Sequence, residues 1–517
     1  MESTKNSTLD FKQFHRPWYL RLLYAVGGYF KNVGLMLWGV IKAIPKKLLA
    51  LLFAIENCLK GLWFRFVKGD WRTKGSYLIM GFGCFTRSPK QIVKGLLLLA
   101  LQVLFILFMV FWGAPNLAMF GTLGTRERME NPNGFGNIEG DNSIVILIFS
   151  MLSIMFMIFI LYMWIKNTKI SYENQIRVKE GKPLTGLKEQ LSYALNDGYH
   201  TTVLALPILG ILLITILPLI CNILIAFTNF DANHSPSDGH IFTWTGFSAF
   251  GTVFGNTYSG DLWRVLGWTL VWAVFATFSN FFLGMFLAMM INKKSIKIKP
   301  LWRTCFVIVI AVPDFVTLLM MSKFFSYSNV VNNTGPFNKI LIEWFGLGES
   351  ANIDWFGATY KDSQHVLLAR VMVIVINLWR GMPYTMLATS GILMNIPAEL
   401  YESSRIDGAG PVRRFISITF PYIMFVMGPQ LITTFTGNIN NFNVIFFLTG
   451  GGPMLVGNSV GSTSLLITWL YDMTVASGKQ QYNLGAVLGL FMFLVTSFFA
   501  LIVFNSSKSV SQEDTFK

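Results

Sequence analysis

Charge is scarce in this chain. Only 13% of its 517 residues are Asp, Glu, Lys or Arg, about half the share found in soluble domains, while 53% are hydrophobic. That balance excludes a soluble globular protein and points to a polytopic membrane protein. Cysteine is scarce too: Cys58, Cys84, Cys221 and Cys305 lie in apolar stretches without metal or redox spacing, and read as small buried hydrophobes. The five histidines, His15, His200, His234, His240 and His365, form no His-Glu-x-x-His motif, so no metal site is expected. A Gly-x4-Gly-Lys-Ser/Thr loop is also missing, which excludes ATP chemistry in this polypeptide. Met1 to Pro17 is polar and lacks the apolar core of a signal peptide.

What charge there is has a pattern. The net charge is +15, and residues 1–95 hold 16 Lys/Arg against 4 Asp/Glu. Basic residues there alternate with Trp, Tyr, Leu and Phe, which favours an arm lying on anionic lipid over a nucleic-acid patch. Within 18–70, Arg21, Lys31, Lys42, Glu56 and Lys60 interrupt the hydrophobic stretches too often for a clean span. Amphipathic helices on the membrane surface fit better, with one further hairpin through the bilayer as the alternative.

Eight nearly uncharged runs are long enough to cross ~30 Å of hydrocarbon. They cover 95–113, 144–165, 203–227, 265–292, 304–324, 371–394, 420–447 and 484–504. An all-α membrane protein with eight transmembrane helices is therefore expected. Residues 166–198 carry six Lys/Arg, 293–299 carry four Lys, and 395–414 carry Arg405, Arg413 and Arg414. By contrast 228–262 has no basic residue and 448–483 only Lys479. Basic loops stay inside, so both termini are expected in the cytoplasm of a cell whose membrane this chain crosses repeatedly.

Two ionisable residues fall inside spans, where they are functional candidates by default. Asp314 follows Pro313, and Arg380 precedes Gly381 and Pro383; both helices are weakened there, so polar groups could line a cavity. A structural Asp–Arg pair between neighbouring helices is the other reading. The 420–447 run adds Thr433, Thr434, Thr436, Asn438, Asn440, Asn441 and Asn443. On a continuous helix Thr434, Asn438 and Asn441 share a face, where they would bond neighbouring helices or a hydroxyl-rich solute.

The most informative segment is a short polar one. Asn395 and Pro397 start a helix, Ala398 to Ile406 continues it, Gly408 and Gly410 stop it, and Pro411 opens a second short helix leading through Pro421. A rigid cytoplasmic knuckle is expected, with Tyr401, Glu402 and Arg405 on or near its exposed side.

Glu402-Ser-Ser-x3-Gly408-x9-Ile418-x-Phe420-Pro421 resembles the cytoplasmic loop of bacterial ABC-importer permeases, Glu-Ala-Ala-x3-Gly-x9-Ile-x-Leu-Pro. Ser403 and Ser404 replace alanines and Phe420 replaces leucine. Asn377-Leu-Trp-Arg-Gly-Met-Pro-Tyr384, Ile396-Pro-Ala-Glu-Leu-Tyr401, Asn440-Asn-Phe442 and Thr449-Gly-Gly-Gly-Pro453 resemble the maltose/maltodextrin branch of the carbohydrate permeases. The likeness runs over about residues 75–505.

The resemblance implies a MetI-like permease core in the last six spans. It divides the chain into a basic amphipathic region (1–93), two extra spans with a cytoplasmic linker (94–200), a permease domain with a coupling loop at 395–421 (201–506), and a tail (507–517). The implied partners are a homologous second permease subunit, a dimeric cytoplasmic ATPase that binds ATP and Mg, an extracellular sugar-binding lipoprotein, an oligosaccharide, and membrane lipid. Tyr401, Glu402, Ser403, Ser404, Arg405, Asp407 and Gly408 would couple to the ATPase. Tyr384 matches an aromatic that packs on sugar, and Gly381 a position of close backbone approach. Asn438 and Asn441 match amides that bond sugar hydroxyls, and Thr434 matches a serine there. Arg380 and Gly437 depart from the pattern, replacing an aliphatic and an aromatic residue. An ion-coupled secondary transporter is the alternative that Asp314 and Arg380 keep open; the inverted repeat expected of one is not visible.

Overall fold

A computed structural model describes residues 45–47, 49–50, 52–130, 137–255, 257–293, 295–330, 333–357, 362–476 and 480–506. The rest of the basic arm before residue 45 and the tail 507–517 lie outside the described residues. The chain divides into two compact units, one of Met1–Leu117 with Phe149–Ile214, the other of Ala118–Ile148 with Thr215–Lys517.

In the first unit, helix α1 (52–68) exposes Phe53, Leu59, Trp63 and Val67. Asp70 caps α2 (Trp71–Leu78) by accepting from the Thr73 N–H at 2.9 Å, and it also receives Arg87 Nη2. Burial raises the Asp70 pKa, but the Thr73 backbone and hydroxyl and the Arg87 guanidinium outweigh it and hold the carboxyl below its usual range. A short helix, α3 (Phe82–Phe85), leads to the first span, α4 (Pro89–Ala118). The second span, α5 (Ser143–Lys179), has 37 residues, about 55 Å, so it runs well beyond the ~30 Å hydrocarbon layer. Its extension carries Asn167, Ser171, Asn174 and Gln175 at helical spacing on one buried face. That face bonds the preceding segment: Ser171 to Ser76 at 3.0 Å, Asn167 to the Gly81 N–H at 3.0 Å, and Gln175 to the Thr73 hydroxyl at 2.9 Å. After α6 (Leu187–Leu195) comes the third span, α7 (Tyr199–Ile225), loosened by Pro207, Pro218 and a wide turn over Ile211–Ile216.

In the second unit, a two-residue antiparallel pair joins Met129–Glu130 to Asn137–Ile138, and α8 (Ser248–Phe254) precedes the spans. The spine is α9 (Ser259–Asn292), packed along α12 (Ser363–Met394). Small residues let the two backbones approach. A Cβ built on Gly284 would come 2.6 Å from the Thr385 Cβ. Trp272 and Ala276 of α9 pack with Leu318, Val373 and Ile445, while Phe281 and Met285, further along, pack with Ile423 and Met427.

Among the described residues, seven helices are long and apolar enough to cross a membrane, or eight if one broken pair counts as a span. Two expectations need correction. The 304–324 run is not a straight span: α10 (Lys299–Ala311) and α11 (Asp314–Phe324) meet at 94°, because Pro313 cannot donate to the helix before it and restricts Val312 to an extended shape. The 420–447 run is not one helix either. The chain forms α13 (Ala398–Ile406), then a 29-residue span α14 (Pro411–Ile439), then a separate α15 (Phe442–Thr449). Asn440 ends the span, and the Asn441 side chain accepts from the Val444 N–H at 3.3 Å to cap the next helix. Pro411 opens the expected short helix, Pro411–Arg414, which runs on through a wide turn over Phe415–Thr419 into the rest of the span. Helices α16 (Leu466–Thr474) and α17 (Tyr482–Ser506) complete the unit, with Trp469, Val487 and Leu488 packed against Leu262 and Val265 of α9.

Candidate substrate passage and coupling loop

The polar interior of the second unit is assembled from the places where helices break. Asp314 is the first residue of α11, where the helix dipole favours a carboxylate. Arg380 reaches it from α12, with Nη1 2.5 Å from Oδ2, and its Nη2 donates to Asn377 Oδ1 at 3.4 Å, one turn earlier. The Arg380 side chain is 16% exposed and that of Asp314 45%, so the pair opens toward surrounding space on its acidic side. Pairing cancels a charge that would otherwise be costly at this depth. Asn280 on α9 lies against Gly381: a Cβ on that glycine would come 2.6 Å from Asn280 Nδ2. The close approach at Gly381 is therefore to a neighbouring amide. Asn280 Oδ1 and Arg380 Nε are both buried without a hydrogen-bond partner.

Two amides of the former 420–447 run, Asn438 and Asn441, are engaged internally. Asn438 Nδ2 donates to Thr277 Oγ1 at 3.0 Å, Asn441 Nδ2 donates to Asn438 Oδ1 at 3.3 Å, and the Trp272 indole donates to the Asn438 carbonyl at 3.1 Å. Asn438 is buried, so it ties α14 to α9. Thr434 is exposed and turns its hydroxyl back to the Gln430 carbonyl at 2.9 Å. Gly437 is exposed with nothing within 4 Å of a Cβ built on it, and Tyr384 is 52% exposed. The structure thus leaves Tyr384, Thr434 and Gly437 accessible and occupies Asn438 and Gly381. Sequence reasoning overlooked Thr277 and Asn280. They are three apart on α9, hence on one face, but the surrounding Phe residues dominate their hydropathy window.

The knuckle stops as its sequence dictates, but it does not start on an Asn395 cap: Asn395 closes α12, and Pro397 stands before α13 with no side-chain cap. Gly408 adopts φ +73°, and a Cβ there meets nothing within 4 Å, so its requirement is conformational. The Ala409 N–H donates to the Ser404 carbonyl at 2.9 Å and the Gly408 N–H to the Arg405 carbonyl at 3.0 Å, the two bonds of a Schellman stop. Ser403 and Ser404 donate their hydroxyls back to the Leu400 and Tyr401 carbonyls. The Tyr401 hydroxyl meets Thr419 Oγ1 at 2.9 Å and fastens α13 to the base of α14. Glu402, Arg405 and Asp407 are exposed, and among the described residues no ion pair involves them. Two apolar side chains unnoticed in the sequence complete the surface: Ile406 is 87% exposed and Val412 71%.

A hydrolase-like spacing, Gly457-x-Ser459-x-Gly461, lies in irregular backbone, with the Ser459 N–H donating to Asp261 Oδ2 at 3.2 Å; it is not the strand-to-helix elbow such chemistry uses. Among the described residues no group of His, Cys, Asp and Glu could hold a metal ion.

A multi-pass helical membrane protein with a polar, kinked interior and an exposed knuckle belongs to the class of transport components. Residues 280–511 match the family described as binding-protein-dependent transport system inner membrane component. The galactooligosaccharides transport system permease protein GanP of Bacillus subtilis is 32% identical over 443 residues, covering 84% of this chain and 97% of the relative. The maltodextrin transport system permease protein MalC of Streptococcus pneumoniae is 30% identical over 427 residues, covering 82% and 93%. The chain belongs to this family of permease components of ABC importers. A crystal structure of a bacterial alginate ABC transporter, in complex with alginate pentasaccharide-bound periplasmic protein, matches 62% of this chain and 97% of that one at 19% identity and a TM-score of 0.49.

Proposed function

We propose that this chain is one of two permease subunits of an ATP-driven importer for a neutral oligosaccharide of the maltodextrin or galactooligosaccharide type. The observation that carries the reading is the knuckle. A capped, rigid α13 with unpaired charges and exposed Ile406 and Val412 is a surface built for another protein. The basic loops between α9 and α10 and between α12 and α14 orient it, with both termini, toward the cytoplasm. Its partner there is a dimeric ATPase that binds ATP and Mg; a homologous second permease subunit supplies the other half of the passage, and an extracellular binding protein delivers the sugar. Relatives named for galactooligosaccharides and maltodextrin support the substrate class.

Transport is by alternating access. Closure of the ATPase dimer pushes α13, the Tyr401–Thr419 contact passes the push to α14, and α14 moves against α9 and α12 around the passage. Tyr384 offers an aromatic face to the sugar, and Thr434 and Gly437 line accessible wall. Arg380 is neutralised by Asp314, which suits an uncharged solute.

The test is uptake of labelled maltotriose and of a galactooligosaccharide by cells carrying the complete importer. Glu402→Lys and Gly408→Val abolish ATP-dependent uptake while the chain still reaches the membrane; normal uptake in both would overturn the coupling assignment. The chain reconstituted alone in liposomes with an imposed ion gradient transports nothing, whereas an ion-coupled carrier would.

A further inference from the structure

At the ends of α9 and α12 remote from the Lys293–Lys299 loop, two arginines face one groove. Arg264 lies five residues into α9 and Arg370 seven residues into α12. The helices have 34 and 32 residues, about 51 and 48 Å, so each extends about 10 Å past a ~30 Å hydrocarbon slab at either end. Both arginines lie about 8–10 Å from the helix starts, at the edge of the hydrocarbon layer, from which their long side chains reach lipid phosphates. The groove between the helices has a volume of about 670 Å³ and is walled beside the arginines by Trp263 and below them by Trp268, Phe275 and Val375. From Trp263 to Phe275 it descends about 18 Å, close to the depth of one leaflet.

Its charge is not balanced. Arg264 Nη2 is 2.7 Å from Asp261 Oδ1 and donates to the Val460 carbonyl at 2.7 Å. Arg370 Nε donates to the Ser462 carbonyl at 3.0 Å, and its guanidinium lies 4.5 Å above the Trp268 ring. Among the described residues no ion pair involves Arg370. Two guanidiniums thus face one carboxylate, with several of their five N–H donors each left over, in the fork geometry that suits phosphate. An apolar helix of another subunit laid into this groove would bury the Arg370 charge without a counter-charge.

We propose that the groove binds one anionic phospholipid, its phosphate between Arg264 and Arg370 and an acyl chain that starts beside Trp263 and runs down along Phe275 and Val375. The site is separate from the sugar passage, and of the functional reading above it borrows only the membrane-spanning placement of α9 and α12. Through the Val460 and Ser462 carbonyls the same arginines hold the 450–464 loop, so the lipid stiffens that end of the molecule.

The test uses the complete importer in nanodiscs containing phosphatidylglycerol or phosphatidylcholine, brominated along the chains. The readout is the part of tryptophan quenching lost in a Trp263→Phe reference. Brominated phosphatidylglycerol is expected to quench Trp263 at about fivefold lower mole fraction than phosphatidylcholine, the enrichment given by one uncompensated arginine. Arg370→Gln removes the preference. Val371→Phe, which narrows the groove and leaves both arginines in place, weakens quenching by both lipids and decides the matter if Arg370→Gln fails to assemble. Equal quenching by the two lipids, a preference that survives both variants, or no quenching of Trp263 by either lipid would overturn the assignment. Bromolipid present in both leaflets makes the readout independent of orientation, so such a failure leaves the coupling assignment untouched.

Discussion

Arg380 reaches across from α12 to set Nη1 2.5 Å from Asp314 Oδ2, at the point where α10 and α11 turn through 94°. The pair holds the first turn of a broken span against a continuous helix. Asp314→Asn leaves Arg380 without a counter-charge, and Arg380→Met leaves a lone carboxylate. Each single change should lower the thermal midpoint of the purified importer, and the double change should recover much of the loss. A coupling of about 1 kcal/mol is expected, at the modest end because the carboxylate is half-exposed. Additive effects in the double-mutant cycle would show that the pair contributes nothing.

At Gly408 the demand is for a left-handed backbone in open space. Asparagine tolerates that conformation, so Gly408→Asn should keep most uptake, whereas Gly408→Val should lose it with a helix-end penalty of about 1–2 kcal/mol. ATP-dependent uptake at matched membrane abundance measures this. Equal loss in both variants would mean that the glycine is needed for contact with the partner.

Asn438 and Tyr384 should behave differently, although the resemblance places both at the sugar. Removing the buried Asn438 amide leaves Thr277 and Asn441 without it, a cost of about 1–3 kcal/mol. Asn438→Ala is therefore expected to lower stability. Tyr384→Ala should raise the KM for uptake and leave the thermal midpoint unchanged. A stable Asn438→Ala protein with a raised KM would make that amide a sugar contact.

The acid limit of the first unit is set in part by Asp70. Its carboxyl titrates lower folded than unfolded, so its stabilisation is complete above the unfolded value near pH ~4 and fades as pH falls through the lower folded value. Asp70→Asn should lower the thermal midpoint at pH 7, and the gap from the parent should close on acidification below pH ~4. A gap that persists at the lowest pH would assign the effect to the lost cap rather than to the charge.

The spans and the knuckle were legible because each announces itself locally. Eight uncharged runs match seven helices and one broken pair, and α13 begins and ends where Pro397, Gly408 and Gly410 say it should. The interruptions were only half legible. Pro313 signalled a weak point without its angle, because a proline removes a hydrogen bond but packing decides the bend. Asn440 and Asn441 were hidden inside a window whose mean is apolar, and what ends the helix there is a side chain bonding backbone. Thr277, Asn280, Ile406 and Val412 were invisible for a different reason. Whether a threonine meets an amide, or an isoleucine meets solvent, depends on which helix stands opposite.

The Tyr401–Thr419 contact also sets a mechanical ratio. From Thr419 to Asn438 the helix rises through 19 residues, about 28 Å, so a tilt of about 10° at its foot would sweep Asn438 through about 5 Å. That is one helical turn of travel past Thr277. Under the coupling proposed above, that hydroxyl pair would be the fulcrum of a lever, and the Thr277–Asn438 bond the catch released at its far end. Pro429 and the wide turn at Phe415–Thr419 are where the lever would flex first, so stiffening either should alter how much of each ATP-driven stroke reaches the passage.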